Sequence, residues 1–109
     1  MFTNVKTRSI ETRVVGVTFE DRQTVVALLT EREQVFLIRE PDNAFDSNAV
    51  KVVRWDRQQL GYLNRSLAVI LAPRMDRCGR LVKATVSSLI GGNYPGSSLG
   101  VMIKFYMSE

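Results

Sequence analysis

The sequence predicts a mainly β (α+β) fold: a small, partly closed antiparallel β-barrel of about six strands with two short helices. Three observations carry this expectation. Short runs rich in β-branched and aromatic residues recur along the chain, separated by clusters of Pro, Gly, Asn and Asp. Only two runs show helical spacing of their apolar residues. The chain has 109 residues, the common size of one domain, and no repeat, low-complexity tract or linker divides it, so residues 1–109 are read as one unit.

Taken in order, Glu11 to Phe19 is β-branched and aromatic and reads as a strand. Asp21 then precedes a run in which Val25, Leu28 and Leu29 fall at i, i+3 and i+4. That spacing, with Asp21 able to cap the first turn, favours a short helix, while the paired valines leave a strand open. Gln34 to Arg39 is the strongest strand, and Pro41 ends it because proline has no N–H for the ladder. Glu40 to Asn48 is a polar loop of turn-forming residues. Ala49 to Trp55 returns as a strand with Val50, Val52 and Trp55 inward, and pairs as a hairpin with Gln59 to Leu63. Asn64 caps a second helix from Arg65 to about Ala72, which Pro73 is expected to end or kink. Arg80 to Leu89, alternating through Leu81, Ala84 and Val86, and Leu99 to Met107 are the last strands, joined by a flexible Gly91 to Ser98 loop.

Composition removes several kinds of chemistry. Apolar residues make up 45% of the chain, enough for one core to fold without a metal or disulfides. Cys78 is the single cysteine and there is no histidine, so neither an intrachain disulfide nor a Cys/His zinc site can form. Ser-His-Asp and Cys-His catalysis lack their base. No glycine motif matches a phosphate-cradling or dinucleotide pattern. No cofactor is expected, and no apolar run reaches the ~18 residues of a membrane span. A reducing, cytoplasmic setting is the expectation. The net charge is +4, and residues 61–109 hold six basic groups (Arg65, Arg74, Arg77, Arg80, Lys83, Lys104) against Asp76 and Glu109. An excess of that kind suits a phosphate-rich partner, although many small basic proteins bind no nucleic acid.

The densest polar stretch is Glu40-Pro-Asp-Asn-Ala-Phe-Asp-Ser-Asn48. Its carboxylates with Lys51 suggest a metal-dependent nuclease. Such a site needs an acid two residues before the lysine, and Ala49 stands there. The stretch also lacks the glycine and final glutamate of a calcium-binding loop. Asp46 and Asn48 are typical of side chains that bond their own backbone in turns. Phe45, flanked by polar residues, is either a plug for the barrel end or an exposed stacking surface.

Three ordered blocks resemble the HIRAN family. They are Arg39-Glu-Pro-Asp-Asn-Ala-Phe-Asp-Ser-Asn-Ala-Val50, then Gly61-Tyr-Leu-Asn-Arg-Ser-Leu-Ala68, then Leu71-Ala-Pro-Arg-Met-Asp76, with Val14-Val-Gly-Val17 matching the family's first strand. The resemblance covers about residues 12–107 and implies an OB-like barrel that captures the 3′ end of single-stranded DNA without turning it over. It further implies that Asn43 and Asp46 contact the terminal 3′-hydroxyl and that Phe45 and Phe19 stand where relatives stack tyrosines on bases. Tyr62 and Arg65 fall near positions that touch the DNA backbone. The chain departs from the pattern in carrying Phe for both tyrosines and Glu20 where an aromatic is usual.

The implied chemistry is coherent. A carboxylate repels a polyanion, but it accepts a hydrogen bond from a terminal 3′-hydroxyl, a donor that internal phosphodiesters lack. Asp46 would therefore reject a 3′-phosphate. Each stacked base contributes on the order of 1–3 kcal/mol without sequence preference, and with few cationic contacts the affinity is expected near ~1 μM, about −8 kcal/mol. The competing expectations are a protein-interaction adaptor acting in DNA repair or replication and, less favoured, a divergent nuclease using Asp42, Asp46 and Lys51.

Overall fold

The computed structural model describes residues 7–79 and 81–108. Arg80, where the fifth strand was expected to begin, and Glu109 lie outside the described residues, as does the chain before Thr7. Eight elements follow one another: β1 (Thr7–Arg13), α1 (Arg22–Val26), β2 (Gln34–Arg39), β3 (Val50–Arg54), β4 (Gln59–Tyr62), α2 (Arg65–Cys78), β5 (Leu81–Gly91) and β6 (Leu99–Ser108). All six strands form one antiparallel sheet in the order β1-β6-β5-β2-β3-β4.

The sheet curls until its two edges meet. Just past β1, Val15 forms a bridge with Tyr62 of β4, each N–H reaching the other's carbonyl at 2.9 Å. The approach needs glycine at position 61, because a Cβ there would collide with the Val15 carbonyl oxygen. Inside the curl, Val35, Leu37, Val50, Val52, Leu60, Val101, Ile103 and Phe105 are fully buried. Leu71 and Met75 of α2 and Val26 and Leu29 from the α1 region pack onto the same core.

Four sequence expectations shift. The first strand begins earlier and ends at Arg13, because Gly16 adopts φ +74° and Glu20 and Asp21 also take left-handed backbone, φ 53° and 60°. Those conformations turn the chain outward, so Phe19 sits in a turn. Asp21 opens α1, but its side chain makes no cap; its carbonyl takes the Thr24 N–H (3.0 Å) instead, and Val26 rather than Leu28 turns inward. Helix α2 runs through Pro73 to Cys78. Pro73 and Val69 face solvent, where the Val69 carbonyl deprived of its donor can be hydrated, while Ala72 and Met75 anchor the last turns in the core. Trp55 and Leu81 point outward and are exposed, since each stands at a strand end on the face away from the core. Asn64 caps α2 as expected, accepting the Leu67 N–H at 2.9 Å. No helix among the described residues is long and apolar enough to cross a membrane.

Candidate functional site

The loop between β2 and β3 is clamped at its base, its middle and its tip. Glu40 N–H donates to the Ala49 carbonyl (2.9 Å) and closes the base. Arg39, whose side chain is only 4% exposed, supports the loop from beneath. Its guanidinium donates to the carbonyls of Ala49 (2.8 Å) and Ser47 (3.0 Å) and pairs with Asp76 of α2 at 3.0 Å. In the middle, Asn43 Oδ1 accepts the N–H groups of Phe45 (2.9 Å) and Asp46 (3.0 Å). At the tip, Arg65 Nη2 donates to the Phe45 carbonyl at 3.1 Å. Asp46 Oδ1 takes the Asn48 N–H at 2.9 Å, so this turn is held by the Asp46 side chain and the Asn48 backbone.

This loop forms one wall of an open cleft of about 500 Å³ beside the Val15–Tyr62 seam. Asn43, Phe45, Asp46, Tyr62 and Arg65 all line it, five of the six residues singled out from the sequence. Phe19 does not line it; its ring is 66% exposed next to Glu20, which does. Phe45 is 89% exposed, which decides between plug and surface: nothing in the barrel covers it.

Asn43 differs from the sequence expectation. Its carbonyl oxygen already serves two N–H groups, and its Nδ2 donates to Glu40 Oε1 (2.6 Å) and Tyr62 Oη (3.3 Å). Both donors and both acceptor positions are occupied, which makes it a strut of the loop. Asp46 keeps capacity: Oδ2 is engaged only by Arg65 Nε at 3.4 Å, from a side chain that is largely exposed.

Two charged groups of the cleft were not anticipated. Glu40 Oε1 accepts from Asn43 and from the Tyr62 hydroxyl (2.7 Å), and Oε2 lies 3.9 Å from Lys51 Nζ. Burial pushes the Glu40 pKa up, but the hydrogen bonds from Asn43 and Tyr62, with the charges of Lys51 and Arg22, outweigh it and leave it below the usual 4.5. Tyr62 is raised above 10.0, first by burial and then by the hydrogen bond to Glu40. Arg22 is the other. It lies over the Tyr62 ring at 5.3 Å, donates to the Gly16 carbonyl (2.9 Å) and reaches Glu20 at 3.3 Å. Its Nε is buried with no hydrogen-bond partner. Alternation along β2 carries on to Glu40 and places it on the face of Phe36 and Ile38, a signal the sequence did contain. Burial of Arg22 has no local sequence signal.

The cleft therefore presents four carboxylates (Glu20, Glu40, Asp42, Asp46) against two guanidiniums (Arg22, Arg65). Lys51 pairs with Glu40, not with Asp42 or Asp46. Among the described residues no three of His, Cys, Asp and Glu are grouped so as to hold a metal ion.

A curled antiparallel sheet with two helices and a ligand-sized cleft at its seam defines a small β-barrel domain of the binding-module kind. The family model described as HIRAN domain matches residues 7–108, and the chain belongs to that family. It is 36% identical over 81 residues to a Fanconi-associated nuclease 1 homolog of Arabidopsis thaliana, covering 74% of this chain and 9% of that protein. It is 45% identical over 49 residues to the helicase-like transcription factor of Oryctolagus cuniculus, covering 45% of this chain and 5% of that one. The chain thus spans less than a tenth of these curated relatives. Among solved structures, the crystal structure of the HIRAN domain of human HLTF matches with TM-score 0.66 and 29% identity over 93% of this chain and 77% of that one. A crystal structure of a protein from Lactobacillus plantarum matches with TM-score 0.69 and 25% identity over 93% and 98% of the two chains.

Proposed function

We propose that this HIRAN domain is a nucleic-acid-binding module that takes the 3′-hydroxyl end of single-stranded DNA into the cleft and carries out no turnover itself. The observation that carries this reading is Phe45. An exposed phenylalanine forgoes about 2 kcal/mol of burial, yet the chain fixes its backbone with hydrogen bonds from both sides, through Asn43 and Arg65. A ring carried into solvent on a fixed backbone is suited to stacking, with the ordering cost of the backbone met before the ligand arrives.

Each residue then has a role. Phe45 stacks on the terminal base and Phe19, next to the cleft, on a neighbouring one. Asp46 Oδ2 accepts a hydrogen bond from the 3′-hydroxyl in place of its long contact with Arg65 Nε, while Arg65 Nη2 keeps the Phe45 carbonyl and the freed N–H groups of the guanidinium face the adjacent phosphate. Asn43 acts by fixing the loop. Tyr62, backed by Arg22, lines the floor. The surplus of carboxylates favours a hydroxyl end over a phosphate end. DNA repair is a setting consistent with the similarity to a Fanconi-associated nuclease 1 homolog.

Fluorescence anisotropy with 5′-labelled strands ending in 3′-hydroxyl or 3′-phosphate tests the reading. The hydroxyl strand is expected to bind at ~1 μM. Phe45→Ala weakens it about 10-fold, within the range of one stacked base. Asp46→Asn, which keeps the acceptor for Asn48, narrows the difference between the two ends. Equal binding of both ends by the unaltered domain refutes end recognition. No binding at low salt refutes the DNA reading in favour of a protein partner, and Mg²⁺-dependent cleavage would overturn the absence of turnover.

A further inference from the structure

A second surface adjoins the cleft on the outer face of the sheet. The register runs Tyr62–Lys51–Ile38–Leu81 across β4, β3, β2 and β5, with Gln59–Val53–Phe36–Lys83 as the next row. The cleft and this face are therefore continuous: Tyr62 belongs to both, and Lys51 joins them through its pair with Glu40. Beyond Lys51 the face forms a groove of about 440 Å³ that ends at Trp55.

Its chemistry differs from that of the cleft. Lys51, Arg54 and Arg57 line the groove and no carboxylate does. Arg57 and Lys83 have no carboxylate partner among the described residues. Trp55 is 67% exposed, and its ring is braced on one side by the Arg54 guanidinium at 5.6 Å. Arg54 is itself held by Glu33 (2.9 Å) and Asp56 (3.1 Å), so the indole rests on a fixed support with one face free. An exposed indole beside the unpaired Arg57, with Lys83 farther along the same face opposite Phe36 and no acid lining the groove, is complementary to a base and its phosphates.

We infer that this groove is a second nucleotide-binding surface, which holds internal nucleotides of the strand whose 3′ end occupies the cleft. Trp55 stacks on a base, and Arg57 and Lys83 contact phosphates. The inference rests on the proposed end-binding function. Lys51 and Trp55 are four residues apart, ~13 Å along a strand, which a stacked nucleic acid strand covers in about four nucleotides at ~3.4 Å each. Ligands shorter than that do not reach Trp55.

Trp55 is the only tryptophan, so its emission reports on this groove alone. The experiment titrates the domain with a 3′-hydroxyl thymidine dinucleotide and with a thymidine strand of about ten nucleotides, following both emission and affinity. The longer strand is expected to quench Trp55 and to bind about 10-fold more tightly, the gain of one stacked base. Trp55→Ala and Arg57→Ala remove that gain and leave dinucleotide affinity unchanged. Phe45→Ala weakens the dinucleotide while a higher concentration of the longer strand still quenches Trp55. If the dinucleotide binds but length adds nothing and Trp55 emission stays constant, this surface is not a nucleotide site and the end-binding reading stands. If neither ligand binds, both readings fall and the groove is a protein contact.

Discussion

Arg39→Met tests whether the candidate site is held up from beneath. Arg39 lies in β2 with its guanidinium among the Ala49 and Ser47 carbonyls and Asp76. Methionine replaces most of the aliphatic length but removes every donor, leaving two carbonyls and a carboxylate without this partner. Breaking a buried ion pair from one side costs about 3–5 kcal/mol. Asp76 is 38% exposed and stays partly hydrated, so the lower end, about 3 kcal/mol, applies. That is a large share of the 5–15 kcal/mol typical of a domain, and it corresponds to a fall in Tm of roughly 12 °C or more. Urea denaturation followed by Trp55 emission should show a lower midpoint at unchanged slope. Arg39→Lys should fall between, since an ammonium cannot make the forked contacts. A loss below about 1 kcal/mol for Arg39→Met, small against what one broken buried pair should cost, would refute the argument that this arginine carries the loop.

Four further outcomes follow from the same geometry. Gly61→Ala drives a Cβ into the Val15 carbonyl and to 2.8 Å from Val14 Cγ1, so the seam must part; we expect a loss of about 1–3 kcal/mol and faster amide exchange at Val15 and Tyr62. Asn64→Ala removes the cap on the Leu67 N–H and should cost about 1 kcal/mol by urea denaturation. Glu40 has a folded pKa below 4.5, so its stabilising contribution is present above that value and is lost as pH falls through the folded pKa; Glu40→Gln should flatten the acid limb of stability against pH. Tyr62 titrates above 10.0, so its contribution is kept below that pH and lost as pH rises through the folded value, and ultraviolet difference spectra against Tyr62→Phe should show the late phenolate.

Legibility in the sequence tracked how local the cause was. The ends of the Gln34 to Arg39 strand are legible, because a run of β-branched and large apolar residues, Val35 to Ile38, and a following proline settle it within eight residues. The cap at Asn64 was equally local. Helix α2 was read too short because whether Pro73 breaks it depends on which way the Val69 carbonyl faces, a tertiary matter. The first strand was misplaced because Gly16, within an apolar run, looks like part of a strand until the turn behind it is seen. Five of six named site residues share the cleft because one loop and the strand and helix start facing it supply them. Arg22 and Arg39 escape as site groups because their importance comes from burial against groups distant in sequence, and a charged residue is ordinarily read as solvated, whereas the place of Glu40 on the face of Phe36 and Ile38 was legible.

Among the described residues the seam between the two edges of the sheet holds two backbone hydrogen bonds, with the Asn64 side chain donating to Thr12 beside them at 2.9 Å, and Tyr62 belongs to it by its backbone and to the cleft by its ring. The joint that completes the curl is thus also the floor of the pocket. A ligand resting on that ring would therefore bear on the joint as well as on the pocket, and the amide exchange expected to quicken at Val15 and Tyr62 in Gly61→Ala should slow when the cleft is filled.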